Sequence, residues 1–289
     1  MNYRLHATTT FSRRRIYETF ISPSFYVAMS VGLLLGYFLV SGFVGAVDSS
    51  GLNFGLNPVY ELLTRVLSGA FGDTFILQLF VEGPFLFALH AASLPFLLYL
   101  SVSAVYRFGF ERSIGAVELL TYGPADGTSC FLSLLIRNIL FSLLYLVVQL
   151  VFFLILSLLN NLVLGPHFFY SLLLFFFLTI SVFSYSTFAS VLIGNSSGGV
   201  ACFVGLMVLF GLLQMGSFTI ISGYVKNLSS VFAGLLQWIS PLFYWAQGLT
   251  AADHGNTTGL LLSLFLSIAL SAIVLLVSHF TIRARGIRA

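Results

Sequence analysis

The stretch FYVAMSVGLLLGYFLVSGFVGAV, residues 25–47, carries no charged side chain. A helix rises about 1.5 Å per residue, so a run of this length crosses a hydrocarbon core of roughly 30 Å. It reads as a membrane span. It is too long for the apolar region of a secretory signal and shows no clear cleavage site, so no signal peptide is expected. The rest of the chain agrees with a lipid-facing surface. Only 7% of its 289 residues are charged and 58% are hydrophobic, whereas soluble domains carry roughly 25% charged residues. Thirty-two Phe and 13 Tyr suit hydrocarbon and its interfaces. A net charge of +3 on scattered arginines argues against a nucleic-acid partner. Cys130 and Cys202 lack metal-ligand spacing and read as small apolar residues.

Working outward, six segments have spanning length: roughly 24–46, 85–107, 129–159, 167–193, 199–221 and 258–282. The third exceeds what the hydrocarbon requires, so its first turns, with Arg137, are expected to protrude into water. Charge then sets the orientation. Arg4, Arg13, Arg14 and Arg15 precede the first span, Arg107 and Arg112 follow the second, and Arg283, Arg285 and Arg288 follow the sixth. Six spans put all of these, with Arg137, on one side; Arg65 and Lys226 lie on the other. By the positive-inside tendency the arginine-rich side, with both termini, is cytoplasmic.

Residues 229–252, SSVFAGLLQWISPLFYWAQGLTAA, are apolar enough to suggest a seventh span, but Pro241 interrupts them and a seventh span would carry the arginine-rich C-terminus outside. They read as an external re-entrant or interfacial helix pair, with Trp238, Tyr244 and Trp245 at the interface. In the external 48–84 segment, residues 58–69 read as a short amphipathic helix with proline at its start. The fold class is therefore an all-α integral membrane protein with no sizeable soluble domain and no internal repeat.

Between the second and third spans lies FERSIGAVELLTYGP, residues 110–124. As a helix over 110–122, at about 100° per residue, Glu111, Gly115, Glu118 and Tyr122 form one stripe, with Phe110, Ile114, Val117 and Leu120 opposite. Such a helix lies along the membrane surface and offers carboxylates to a cytoplasmic partner. The same stripe also fits an ordinary solvated loop helix.

These residues resemble the signature of ABC-2 type transporter permeases, in the branch of gliding-motility and nitrous-oxide-reductase-maturation permeases, approximately E-[KR]-x-x-G-T-x-E-L-L-L-T-x-P. Glu111, Arg112, Gly115, Glu118, Leu119, Leu120 and Pro124 match. Ala116 and Tyr122 stand where threonine is usual, and Thr121 falls one position early. Two further stretches resemble the same branch. ETFISPSFYV, residues 18–27, is similar to its entry to the first span, where Ser22-Pro23 breaks the helix. ISPLFYWAQGLTAADH, residues 239–254, retains Ser240, Pro241, Gly248 and Asp253, with Tyr244 in place of histidine.

The resemblance implies that residues 1–289 form a single ABC-2 transmembrane domain in a bacterial cytoplasmic (inner) membrane, working as an exporter. Its coupling helix, with Glu111, Arg112, Gly115, Glu118 and Leu119, would dock on a separate pair of ATPase subunits. A second permease subunit, identical or related, is implied too. ATP and Mg would belong to the ATPase, and no cofactor to this chain, which holds no G-x-x-x-x-G-K-[ST]. Gly32 and Gly36 form a GLLLG pair suited to close helix contact, either within one subunit or between two. His90, Gln149 and Gln214 are intramembrane polar groups, read as interhelical bonds or as pathway candidates.

Two other classes compete. GNSSG, 194–198, satisfies G-x-S-x-G, and Ser196 or Ser197 with His279 raises a rhomboid-like intramembrane serine protease. A secondary transporter would need an inverted repeat or an ion-coupling carboxylate within the spans, and neither is evident; Glu82 sits only at the outer edge of the second span.

Overall fold

The computed structural model describes residues 2–48, 51–52, 84–113, 127–218, 238–253 and 255–285. Eight helices lie in these residues: α1 (Asn2–Ile21), α2 (Pro23–Ala46), α3 (Pro84–Ser113), α4 (Gly127–Asn160), α5 (Pro166–Leu192), α6 (Ser196–Phe218), α7 (Pro241–Asp253) and α8 (Thr257–Arg285). A two-residue antiparallel pair, β1 (Val47–Asp48) with β2 (Gly51–Leu52), follows α2. Apart from this pair, the regular structure of the described residues is all α-helical. Five helices, α2, α3, α4, α5 and α8, are long and apolar enough to cross a membrane, which makes the chain a multi-pass membrane protein. Helix α6 has 23 residues, but its side chains are described only over 196–211, a length short of a full span. The helix expected over 58–69 lies outside the described residues.

Proline and its neighbours set the boundaries. Pro23, Pro84, Pro166 and Pro241 each open a helix, where a missing N–H is no loss. At the α1–α2 joint Ser22 is non-helical, and its N–H still reaches the Thr19 carbonyl at 3.1 Å. Helix α4 ends where Asn161 takes a φ of 52°, and the Leu162 N–H returns to the Ser157 carbonyl at 3.0 Å, a Schellman closure. The α7–α8 turn uses the same device. Gly255 has a φ of 63°, and the Asn256 N–H bonds the Ala251 carbonyl at 2.8 Å. The Asn256 side chain then caps α8 by accepting from the Gly259 N–H at 3.0 Å.

Helices α3 and α5 form the centre. More than half of each one's membrane-length window is buried, against about a third or less for α2, α4 and α8. Helix α2 packs on α3, α8 and α7 pack on α5, and α6 closes against both central helices. The apolar centre divides into a cluster around Val40, Leu89, Ala92 and Phe153 and another around Val105, Val182 and Phe203. Membrane helices gain little from apolar contact alone, because lipid is equally apolar; small residues and hydroxyls bring them together. Gly32 and Gly36 are used in this way within the chain. A Cβ at Gly32 would strike the Ala92 carbonyl of α3 and the Tyr145 hydroxyl of α4, and one at Gly36 would lie 3.2 Å from the rings of Phe152 and Phe153. Between α5 and α8, Ser181 Oγ lies 2.9 Å from Ser267 Oγ and 2.7 Å from Ser271 Oγ. Gly259, Ser263, Ser267 and Ser271 recur every fourth residue on α8, a small-residue seam that meets α5 and α7.

The break expected at Pro241 is present: residues 238–239 are helical, Ser240 is not, and α7 restarts at Pro241. Helix α7 has 13 residues and cannot cross alone. Of the three aromatic side chains read as interfacial, Tyr244 and Trp245 pack against protein. Tyr244 is buried and donates its hydroxyl to the Trp238 carbonyl at 2.8 Å, while Tyr185 of α5 donates to the Ile239 carbonyl. The break at Ser240 leaves the Trp238 and Ile239 carbonyls without helical N–H partners, and in an apolar surrounding those carbonyls draw phenol donors inward. Trp245 packs on His90 with ring centroids 5.0 Å apart. Only Trp238 of the three is largely exposed.

Candidate functional site

The densest polar grouping among the described residues lies where α1 crosses the arginine-rich ends of α3 and α4. Helix α1 packs along α4. Ser12, Arg15 and Thr19 face inward and are buried, whereas Arg13 and Arg14 are exposed. Arg15 Nη2 donates to Glu111 Oε2 of α3 at 2.5 Å, and its Nη1 to the Cys130 carbonyl of α4 at 3.5 Å. Ser133 Oγ donates to the same carbonyl at 2.7 Å. One helix face away, Glu18 accepts from Arg14 Nε at 2.8 Å and lies 3.6 Å from Arg107 Nη1. Glu111 is therefore held by Arg15 in this arrangement, and α1 is latched to the end of α3.

Helix α3 runs without interruption through 107–113, so Glu111 and Arg112 belong to the end of the second apolar helix rather than to a separate one. The Arg112 side chain, Gly115, Glu118 and Leu119 lie outside the described residues, as do most of 110–122 and the surface those residues would present.

Arg137 corrects an expectation. It does not protrude into water but is wholly buried, with Nη2 donating to Ser103 Oγ of α3 at 3.0 Å. The reason is tertiary: α1 packs along α4 and covers the turns that carry Arg137. Its Nε and Nη1, and both amide atoms of the neighbouring Asn138, meet no partner.

In the apolar middle, Gln149 Nε2 donates to the Tyr145 hydroxyl, which donates to the Ala92 carbonyl at 2.7 Å. Pro95 lies inside α3 and lacks the N–H that would bond the Ala91 carbonyl, so the turn before it is where a side-chain donor is most readily admitted. The Tyr145 ring stacks on Phe96 at 3.9 Å. Gln149 Oε1 has no partner. His90 Nδ1 contacts the Leu86 carbonyl at 2.7 Å, while its Nε2 and the Trp245 indole N–H have no partner. Gln214 lies on α6, with its side chain outside the described residues.

The serine–histidine pairing of a protease is not formed among the described residues. The Ser197 hydroxyl lies 3.3 Å from Asn195 Oδ1, and Ser196 stands at the start of α6 against Gly109 of α3. His279 lies among the rings of Phe131 and Phe280. Helix α5 rather than a strand precedes the GNSSG turn. Cys130 and Cys202 are free.

Arg15 and Tyr145 were not singled out by sequence. The available signal for Arg15 was its place in a run of three arginines, where helical spacing turns one inward. Tyr145 sits four residues before Gln149, one helical turn away.

No family model, curated protein or solved structure matches this chain.

Proposed function

We propose that the chain is the transmembrane permease subunit of an ABC exporter. It has six spans with both termini cytoplasmic and couples ATP hydrolysis by a separate ATPase pair to movement of a substrate. α6 supplies the fifth span in this reading, and a second permease subunit completes the transporter. The reading is carried by one observation: the stretch ERSIGAVELL with Pro124 begins on the last turn of α3, at the arginine-rich end of a multi-pass bundle. Further support comes from the helix break at Ser22-Pro23 and from the break at Ser240-Pro241. These are the two positions at which the other permease-like stretches carry their Ser-Pro steps. The Arg15–Glu111 pair gives the docking segment a lever, since a pull on the end of α3 would be felt by α1.

The test is affinity purification of the tagged chain from its native membrane. An ATP-hydrolysing subunit should co-purify, and Gly115→Leu and Glu118→Arg should remove it while leaving the chain inserted. Loss of a desolvated interface contact costs about 2–5 kcal/mol, so retention should drop well over tenfold. Normal retention and normal ATP turnover in both variants would refute the coupling role.

A further inference from the structure

We propose that the arginine cluster of Arg15, Arg107 and Arg137, where α1, α3 and α4 meet, binds the phosphate of an acidic phospholipid headgroup. The charge of this cluster is unbalanced. Among the described residues four arginines (Arg14, Arg15, Arg107 and Arg137) meet two carboxylates, Glu18 and Glu111. Glu111 is committed to Arg15 at 2.5 Å and Glu18 to Arg14 at 2.8 Å. Arg107 has only a 3.6 Å approach to Glu18, too long for a hydrogen bond. Arg137 has a single neutral partner, Ser103, and its Nε and Nη1 donors are buried without an acceptor. A guanidinium does not shed its proton, and a buried charge lacking a counter-ion is strongly unfavourable. An anion is therefore the missing component.

The three arginines converge. Ser103, which holds Arg137, is one helical turn before Arg107 on α3. The charges of Arg107 and Arg15 act on Arg137, offset only in part by Glu111, which Arg15 holds. Arg15 reaches the Cys130 carbonyl, two turns before Arg137 on the same face of α4. Arg107 and Glu18 are partly exposed, whereas Arg137 is buried behind them.

Depth selects the ligand. From the opposite end of α4 at Asn160 to Arg137, and from Pro84 to Arg107 on α3, the separation is in each case 23 residues, or about 34 Å. A hydrocarbon core is roughly 30 Å thick. The side chains thus lie just beyond it, at the level of lipid phosphates, and basic pockets between helices at that level suit anionic headgroups. The phosphate would take the place of the weak Glu18–Arg107 approach and supply acceptors to Arg107 and to a turned Arg137.

Native mass spectrometry of the detergent-purified chain, titrated with phosphatidylglycerol, phosphatidylcholine or inorganic phosphate, tests this. Phosphatidylglycerol should bind about tenfold tighter than phosphatidylcholine, each basic residue adding its share of the attraction. That preference should vanish in Arg137→Gln and in Arg107→Gln, and persist in Arg13→Gln, whose exposed side chain lies outside the cluster. Should Arg137→Gln fail to fold, Arg107→Gln, which is partly exposed, decides alone. Equal binding of the two lipids, or a preference kept in Arg107→Gln, overturns the proposal. So does displacement of the lipid by inorganic phosphate at matched concentration, which would make the ligand a soluble anion.

Discussion

Replacing Tyr145 by Phe removes one oxygen from the middle of the bundle, and the structure predicts which part of the resulting loss is reversible. The ring stays stacked on Phe96 at 3.9 Å, so buried apolar area is nearly unchanged. Two hydrogen bonds disappear: the donation to the Ala92 carbonyl at 2.7 Å and the donation from Gln149 Nε2. The Ala92 bond is worth about 0.6 to 1.7 kcal/mol in a membrane interior. Gln149 is wholly buried and its Oε1 is already without a partner. Losing its bond to Tyr145 leaves the amide unsatisfied at both ends, at about 1–3 kcal/mol. The expected destabilisation of Tyr145→Phe is therefore about 2–5 kcal/mol. Gln149→Leu should be close to neutral, because it deletes a half-satisfied polar group and leaves the Tyr145–Ala92 bond in place. The double variant should recover the Gln149 share and lose only the Ala92 bond, making it more stable than Tyr145→Phe alone. Unfolding by SDS titration in bicelles measures all three. A Tyr145→Phe protein indistinguishable from wild type, or a double variant less stable than Tyr145→Phe, would refute the account.

Gly32→Ala should destabilise more than Gly36→Ala, by about 1–3 kcal/mol, because its Cβ meets a backbone carbonyl that cannot turn aside, whereas Gly36 faces ring edges at 3.2 Å; the same titration reads the order. Ser181→Ala should cost about 0.6–1.7 kcal/mol, since Ser271 keeps its own bond to the Ser267 carbonyl at 2.7 Å, and the bulkier Ser181→Leu should cost more by forcing α5 and α8 apart. With Cys130 and Cys202 replaced by alanine, single cysteines at Ser50 and Asn256 should react with an impermeant thiol reagent from outside. Cysteines at Ser113 and Arg288 should not, and outside labelling at 288 would establish a seventh span.

Much of the architecture is legible in the sequence. Spanning helices are specified by length and apolarity alone, so the apolar runs over 24–46, 85–107, 129–159, 167–193 and 258–282 each reappear as a helix within a few residues. Proline acts locally on the backbone, and the breaks at Ser22-Pro23 and Ser240-Pro241 followed from it. What periodicity did not determine was which polar side chains face protein. Arg137 lies far enough along α4 to clear the hydrocarbon, yet it is buried because α1 folds back over that turn. Tyr244 and Trp245 have the composition of an interface belt, but Tyr244 turns inward to a carbonyl freed by the helix break at Ser240 and Trp245 packs on His90. Gly32 and Gly36 suited a contact within or between subunits equally well; in the fold they meet α3 and α4 of their own chain. A long apolar helix is stable in lipid whichever way it is turned about its axis. Its rotation, and with it the partner of every polar group, is settled by packing against neighbours that are remote in sequence.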